Sequence, residues 1–412
     1  MASIPKVMRA QLEQAFQNKG LEGCQGVLQS ALDEWKRTQM NVAVIGLSGT
    51  GKSSLINAFL DLDSDDERTA VVSGCNETAE EIQSYKHPKN EKLVFADLPG
   101  VGTPEFPRES YLQATGVDEY DFFLLVTSSR FDENDRWLAE EVKKRNKRLF
   151  CVRTRIGDVL TDKEAKSGSR DDEQLGKEKE PSTEDEPQQT DTERSDPASP
   201  SDIKIFLVDS YESLTKYDFP ALCHEFIGDF PECKQEALLL TVRAQSKPMV
   251  DRKVECLRSR TWKAAGLSGA GALVPLPGTS FVFDVGILLH EMKFYFEQVG
   301  LDRESLRRLA RTTGADVGRL TAVVTDAYGV DVASLDLRSC VDHLSVLGVS
   351  AAVFQAESAA EAAVSLALPV VGQALAASMS YLTTRWMLAK ILDRMHVVAD
   401  EVIDVATKCR DA

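Results

Sequence analysis

No C-x-x-C pair occurs among the eight cysteines of this chain (positions 24, 75, 151, 223, 233, 256, 340 and 409), and no cysteine–histidine cluster is visible. That usage disfavours zinc and a disulfide framework, and it suits a reducing compartment. Basic residues are also short. The 48 lysines and arginines face 65 aspartates and glutamates, a net charge of −17, which argues against nucleic acid as the main partner. The first residues, MASIPKVMRA, lack the pattern of a secretory signal, and Ala2 stands where myristoylation requires glycine. Uninterrupted apolar runs are missing too. Residues 264–289 carry one charge, Asp284, but are broken by Pro275, Pro277 and Gly278. Residues 362–384 carry none, but Pro369 and Gly372 break them. Such interruptions favour two helical hairpins buried in a bundle over membrane spans, with a peripheral membrane contact left open.

What is present is dominated by Asn41 to Leu55, NVAVIGLSGTGKSSL. Val42–Ile45 is a buried-strand run, followed by a glycine-rich turn and a helix start. Gly46, Gly51, Lys52 and Ser53 satisfy G-x-x-x-x-G-K-[ST], the phosphate loop. Its glycines let successive N–H groups curl around one anion, and the helix that follows offers unpaired amides and a positive dipole end. Gly46, Ser48, Gly49, Thr50, Gly51, Lys52, Ser53 and Ser54 are therefore the expected phosphate contacts. Lys52 supplies charge against the β- and γ-phosphates, and the Ser53 hydroxyl can ligate Mg²⁺.

A second strand, Leu93–Ala96, ends in Asp97-Leu98-Pro99-Gly100. A carboxylate at the end of a strand beside the phosphate strand is where a second Mg²⁺ contact belongs, so Asp97 joins the metal set, and Gly100 would lend its N–H to the γ-phosphate. Between them a switch loop must bring a hydroxyl to the metal. Thr69, Ser73 and Thr78 are the candidates, Thr78 being preferred.

Further strands are expected at 122–126, 149–152 and 203–208, with a helix at 134–145 capped near Asp132 or Glu133. Strands alternating with helices give an α/β domain with a mostly parallel sheet flanked by helices. Two helical patterns precede it, Val7, Met8, Leu12, Ala15 and Phe16 on one face, then Val27, Leu28, Ala31, Leu32 and Trp35 on another, interrupted at Gly20 and Gly23. Coming before the phosphate strand, they should join helices from the C-terminal part. The expected division is residues 1–38 and 231–412 as a helical domain and 39–230 as the nucleotide domain. Within the latter, residues 161–201 hold 13 acidic and 6 basic residues with four prolines and three apolar residues, and read as a disordered acidic insertion. Ser182 and Thr183 each have an acidic residue three positions on, so either could be phosphorylated.

The combination resembles the interferon-inducible, immunity-related GTPases. Gly46 to Asn57 is similar to that family's phosphate loop, and Asp97-Leu98-Pro99-Gly100-Val101-Gly102 to the start of its switch II. Ser128-Ser129-Arg130-Phe131 with Glu133-Asn134-Asp135 resembles the segment after its third strand. Pro275-Leu276-Pro277-Gly278 with Phe283-Asp284-Val285 and Val299-Gly300-Leu301-Asp302 resembles its helical domain. The resemblance implies a Mg²⁺-dependent GTPase that binds GTP and GDP, assembles through nucleotide-dependent homodimers or oligomers with itself or with related GTPases, and acts peripherally at intracellular membranes from the cytoplasm in cell-autonomous immune defence. Lys52 places the chain with the branch that has lysine in the loop, not methionine.

Where the family reads the base with Thr-Lys-x-Asp, this chain has Thr154-Arg155-Ile156-Gly157-Asp158. The lysine is arginine and the aspartate comes one residue late. A carboxylate must accept both N1–H and N2–H of guanine, so Asp158 would need a bulge at Gly157 to reach it. The family's Ser-Asn is replaced by Asp209-Ser210. Val101 occupies the position of the water-orienting glutamine of signalling GTPases, so hydrolysis should be slow until a partner completes the site. Glu77, Glu80 and Glu81 are candidates to act across such a dimer. The rival reading is a pseudo-GTPase or an adaptor linked to autophagy, motivated by the altered base motif, the acidic insertion and the peptide-like Asp218-Phe219-Pro220-Ala221-Leu222.

Overall fold

The computed structural model describes residues 6–62, 69–70, 82–127, 132–154, 204–208, 217–228, 232–271, 279–328 and 371–410. The chain divides into two compact units, one made of residues 39–231 and the other of residues 1–38 together with 232–412.

The first unit is a six-stranded sheet. Its strands are β1 (Met40–Ile45), β2 (Gln83–His87), β3 (Asn90–Asp97), β4 (Phe122–Thr127), β5 (Arg148–Arg153) and β6 (Ile205–Leu207). They lie in the order β2-β3-β1-β4-β5-β6, and every pairing is parallel except β2 with β3. Its helices are α1 (Lys52–Leu60), α2 (Arg108–Ala114), α3 (Glu133–Lys144) and α4 (Phe219–Gly228).

Side chains two apart in a strand share a face, and the sequence uses that period to build two different cores. Phe95, Phe122, Phe150 and Phe206 come from four strands and meet Phe59 of α1 and Phe219 and Phe226 of α4, with ring centroids between 4.3 and 6.5 Å apart. The neighbouring residues Ala43, Ile45, Ala96, Phe123, Leu125 and Cys151 face the other way, onto Tyr111 of α2 and Leu138 and Val142 of α3. Because both faces are covered, β4 is buried along its whole length. Phe219, the anchor of the peptide-like motif, is a core residue at 3% exposure.

The sheet order leaves β1 between β3 and β4, with the crossovers leading to opposite sides. The crevice outside the carboxyl ends of these strands is where doubly wound sheets bind ligands. The phosphate loop follows β1 there, and Asp97 ends the adjacent β3 in register with Val44.

The second unit is helical: α5 (Lys6–Leu32), α6 (Glu232–Thr241), α7 (Lys247–Gly271), α8 (Thr279–Gln298), α9 (Arg303–Thr313), α10 (Val317–Tyr328) and α11 (Val371–Arg410). Helix α5 bends at Gly20 (φ 59°, ψ −141°). Cys24 Sγ lies 3.5 Å from the Leu12 carbonyl, so the two limbs run side by side. A Cβ at Gly23 would sit 2.5 Å from the Ala15 carbonyl oxygen, which explains a second glycine within a turn of the bend. Leu28 and Leu32 pack with Met8 and Leu12 against Trp262, Leu267 and Ile287, whereas Val7 and Phe16, expected on the same buried face, are exposed. No side chain of the first limb is fully buried, so its helical spacing overstates its core.

Arg260 of α7 ties this arrangement together. Its guanidinium pairs with Glu291 of α8 at 3.2 Å, donates to the Leu32 carbonyl of α5 at 2.5 Å, and lies 4.6 Å over the Phe294 ring. Every face of a buried cation is thereby met, as burial of charge demands. Helices α7 and α11 approach closely at small residues. Ser268 Oγ is 2.7 Å from both Ser380 Oγ and Thr384 Oγ1. Among the described residues no helix is long and apolar enough to cross a membrane.

Candidate nucleotide-phosphate site

The loop after β1 takes its shape from two left-handed glycines, Gly49 (φ 78°) and Gly51 (φ 92°), a conformation that costs an L-residue roughly 1–2 kcal/mol. Thr50 closes the turn, its N–H and Oγ1 both donating to the Leu47 carbonyl at 3.3 and 2.8 Å. Gly46 is fixed for a different reason: a Cβ there would lie 2.2 Å from the Val126 carbonyl oxygen of β4. The loop therefore lies directly on the end of the neighbouring strand. Gly51 caps α1, whose first turn carries Lys52, Ser53 and Ser54.

Lys52 Nζ donates to the Gly46 carbonyl at 3.0 Å and approaches the Leu47 carbonyl at 3.4 Å. Its charge stands 3.7 Å from Asp97 Oδ1. Both are buried, at 8% and 7% exposure. Desolvation lowers the Lys52 pKa and raises that of Asp97, and the attraction between them opposes both shifts. Ser53 Oγ donates to Asp97 Oδ2 at 3.2 Å, while Asp97 Oδ1 is buried with no hydrogen bond. A hydroxyl and a carboxylate thus stand side by side, the second carboxylate oxygen facing the Lys52 charge. That donor set fits Mg²⁺, a hard cation that prefers oxygen ligands.

The segment after β3 folds onto the loop. Leu98 N–H donates to the Val44 carbonyl at 2.9 Å, and a Cβ at Gly100 would lie 3.2 Å from Leu47 Cα and 3.3 Å from the Gly46 oxygen. A side chain there would be tight, so glycine eases the close approach of these two backbones. Tyr111, fully buried, donates its hydroxyl to the Pro99 carbonyl at 2.8 Å, and burial holds its phenol far above the usual range. Val101 points into the core formed by β1, β3, α2 and α3, at 4% exposure. Gly102 (φ 85°) lies under Asn134, whose Oδ1 accepts from Arg108 Nε at 2.6 Å.

On the far side, Thr154 follows β5 and is buried at 3% exposure. Its Oγ1 donates to the Thr50 carbonyl at 2.5 Å, and its N–H to Thr127 at 2.9 Å. Thr154 is thereby anchored to the phosphate loop itself.

The structure therefore brings together Gly46, Ser48, Gly49, Thr50, Gly51, Lys52, Ser53, Ser54, Asp97, Gly100 and Thr154. Thr78, Arg155, Asp158, Asp209 and Ser210 lie outside the described residues, as do Ser73, Glu77, Glu80, Glu81 and residues 161–201. Thr69 stands next to Ala70, which introduces a residue the sequence reading passed over. The Asn57 side chain of α1 donates to the Ala70 carbonyl at 2.9 Å and accepts from its N–H at 2.6 Å. This two-way amide clamp fixes the chain before the switch region. Its sequence signal is the asparagine that closes the stretch Gly46 to Asn57, a polar residue between Ile56 and Ala58.

A family model described as interferon-inducible GTPase matches residues 5–333. Interferon-gamma-inducible GTPase 10 of Mus musculus is 30% identical over 324 residues, covering 77% of this chain and 74% of that protein. Interferon-inducible GTPase 5 of Rattus norvegicus is 30% identical over 393 residues, covering 95% of this chain and 81% of that protein. Among solved structures, S. thermophilus NFeoB bound to GDP.AlF4- aligns over 75% of this chain and 100% of its own at 15% identity and a TM-score of 0.28.

Proposed function

The chain belongs to the interferon-inducible GTPase family, and on that premise we propose that it binds GTP and hydrolyses it to GDP slowly until a second nucleotide-loaded copy completes the site. The observation that carries this reading is Val101, an apolar side chain turned into the core at the position where a water-orienting group would be needed. Neither its chemistry nor its direction can align an attacking water. The phosphate side, by contrast, has its parts in place.

On arrival of the nucleotide, Lys52 exchanges the Gly46 and Leu47 carbonyls for the β- and γ-phosphate oxygens, a change that favours its charged form. The loop N–H groups and the start of α1 cradle the β-phosphate. Ser53 and Asp97 would hold Mg²⁺, which when bound neutralises charge on the β- and γ-oxygens. Thr78 would add its hydroxyl to the same ion. Gly100 offers its N–H to the γ-phosphate, so the turn that rests on the loop senses whether that group is present. Thr154, Arg155, Asp158, Asp209 and Ser210 make the base side of the pocket. We further read the chain as cytoplasmic and peripherally bound to intracellular membranes in immune defence. In that reading the nucleotide unit, residues 39–230 with its acidic insertion, controls assembly of the helical unit, residues 1–38 and 231–412.

Sedimentation of the purified chain with GDP, GTP and a non-hydrolysable GTP analogue, together with turnover measured against protein concentration, tests the reading. GTP and the analogue should raise the mass above that of the GDP form, and turnover per molecule should rise with concentration. Unchanged mass with no turnover at any concentration would overturn it.

A further inference from the structure

Far in sequence from the nucleotide loop, three ligand-forming side chains converge where α7 crosses α11. His396 and Asp400 are one helical turn apart on α11, so they share a face. Asp251 projects from the first turns of α7 toward the same point. His396 Nε2 is 2.7 Å from Asp251 Oδ1 and 3.7 Å from Asp400 Oδ2, and one ligand atom from each of the three lies within 4.8 Å of the others. Among the described residues this is the group of histidine, cysteine and carboxylate side chains close enough to share an ion.

We propose that Asp251, His396 and Asp400 form a divalent transition-metal site, of the kind filled by Zn²⁺, that clamps α7 to α11.

Two observations beside the convergence itself support it. Asp400 Oδ1 is buried without a hydrogen-bond partner, a free acceptor beside the imidazole. Two carboxylates meet at this point, and the nearby cation, Lys247, pairs directly with a third, Asp404, at 2.6 Å. The donor chemistry selects the ion. One imidazole nitrogen with two carboxylate oxygens suits Zn²⁺ or its first-row neighbours and not Mg²⁺ or Ca²⁺, which take oxygen alone. Bonds of about 2.0–2.2 Å need donors no more than about 4.4 Å apart, so the largest present separation must close slightly. Asp251, whose side chain is 60% exposed, is free to turn inward. Its exposed side leaves room for water as a further ligand. The three residues are 145 positions apart at the longest hydrogen-bonded span, and none is a cysteine, so no spacing motif marks them.

The test uses the full chain saturated with Mg²⁺ and GDP, so that the nucleotide site does not compete for the probe. Zn²⁺ is titrated against a chromophoric chelator, and thermal unfolding is followed with and without one equivalent of Zn²⁺. Wild type should bind one Zn²⁺ that His396→Gln loses, with affinity weakened at least tenfold in Asp251→Asn and in Asp400→Asn. The midpoint should rise with Zn²⁺ in wild type and stay put in His396→Gln. His290→Gln should behave as wild type. Should His396→Gln fail to fold by circular dichroism, the exposed Asp251→Asn decides. Zn²⁺ binding of equal number and strength in wild type and variants, or no binding by wild type at 100-fold below millimolar concentrations, would overturn the proposal.

Discussion

Thr154 Oγ1 donates to the Thr50 carbonyl oxygen at 2.5 Å, joining the end of β5 to the phosphate loop across 104 residues of chain. The bond is buried, so removing it leaves an acceptor without water to replace the donor. Thr154→Val should cost about 1–3 kcal/mol in denaturant unfolding, the penalty for one orphaned buried polar group. Nucleotide affinity should fall with it, because the loop loses its lateral brace. Thr154→Ser should restore both. Equal unfolding midpoints for Val and Ser would show that the contact contributes nothing.

Lys52→Ala removes one charge-assisted contact, worth roughly 1.5–3 kcal/mol, and so should weaken nucleotide binding about 10- to 150-fold. Calorimetric titration with GTP and GDP reads this directly. Far-UV circular dichroism should stay unchanged, since α1 and β1 keep their packing.

Three glycines should fail in three ways. Gly46→Ala places a methyl 2.2 Å from a strand carbonyl, and since the carbonyl is backbone and a Cβ has no rotamer to escape it, folded protein should be lost from the soluble fraction. Gly51→Ala meets only ordinary contacts at 3.4 Å or more, so its cost is the left-handed conformation alone, about 1–2 kcal/mol. Gly100→Ala pushes on Leu47 and Gly46 from 3.2 Å. It should fold, and it should lose about tenfold in GTP affinity, the worth of one charge-assisted hydrogen bond, while GDP affinity holds. Affinity for both nucleotides falling alike would break the assignment of Gly100 to the γ-phosphate.

Asp135 at the start of α3 completes a reciprocal cap with Asp132. Burial pushes its pKa up to about 6, against the hydrogen bond it accepts from the Asp132 backbone N–H. The folded state then binds the proton more tightly than the unfolded chain does. Between about pH 4 and pH 6 this group makes stability fall as pH rises. Asn keeps the acceptor and cannot titrate. Unfolding midpoints of wild type and Asp135→Asn, compared from pH 4 to pH 7, should diverge over that window, with wild type losing ground toward pH 6. Parallel curves would mean that the carboxyl is not held in the way its burial implies.

The central strands and the phosphate loop were readable because their residues answer to one constraint each. Strands β1 and β4 are covered on both faces and so read as unbroken apolar runs. The loop needs glycine, lysine and serine at fixed places. Strand β2, QSYKH, was hidden within what reads as a polar irregular run: it is an edge strand with one neighbour, and most of it is exposed. Helix α2 was also invisible, since in seven residues only Tyr111 is buried. The cap at Asp132 was foreseen, but its partner was not, because Asp135 stands where glutamate or glutamine is the usual signal. The clamp of Asn57 on Ala70 and the meeting of Asp251 with His396 depend on chain segments brought together by folding, which no local pattern encodes.

The helical unit is closed by Arg260 reaching back to the Leu32 carbonyl, 228 residues earlier. During synthesis, at about 5–20 residues per second, Leu28 and Leu32 therefore wait roughly 10–50 s for the surface that covers them. The whole nucleotide unit is made in that interval. A nascent chain stalled before residue 260 carries Leu28 and Leu32 uncovered, a target for chaperones on the ribosome.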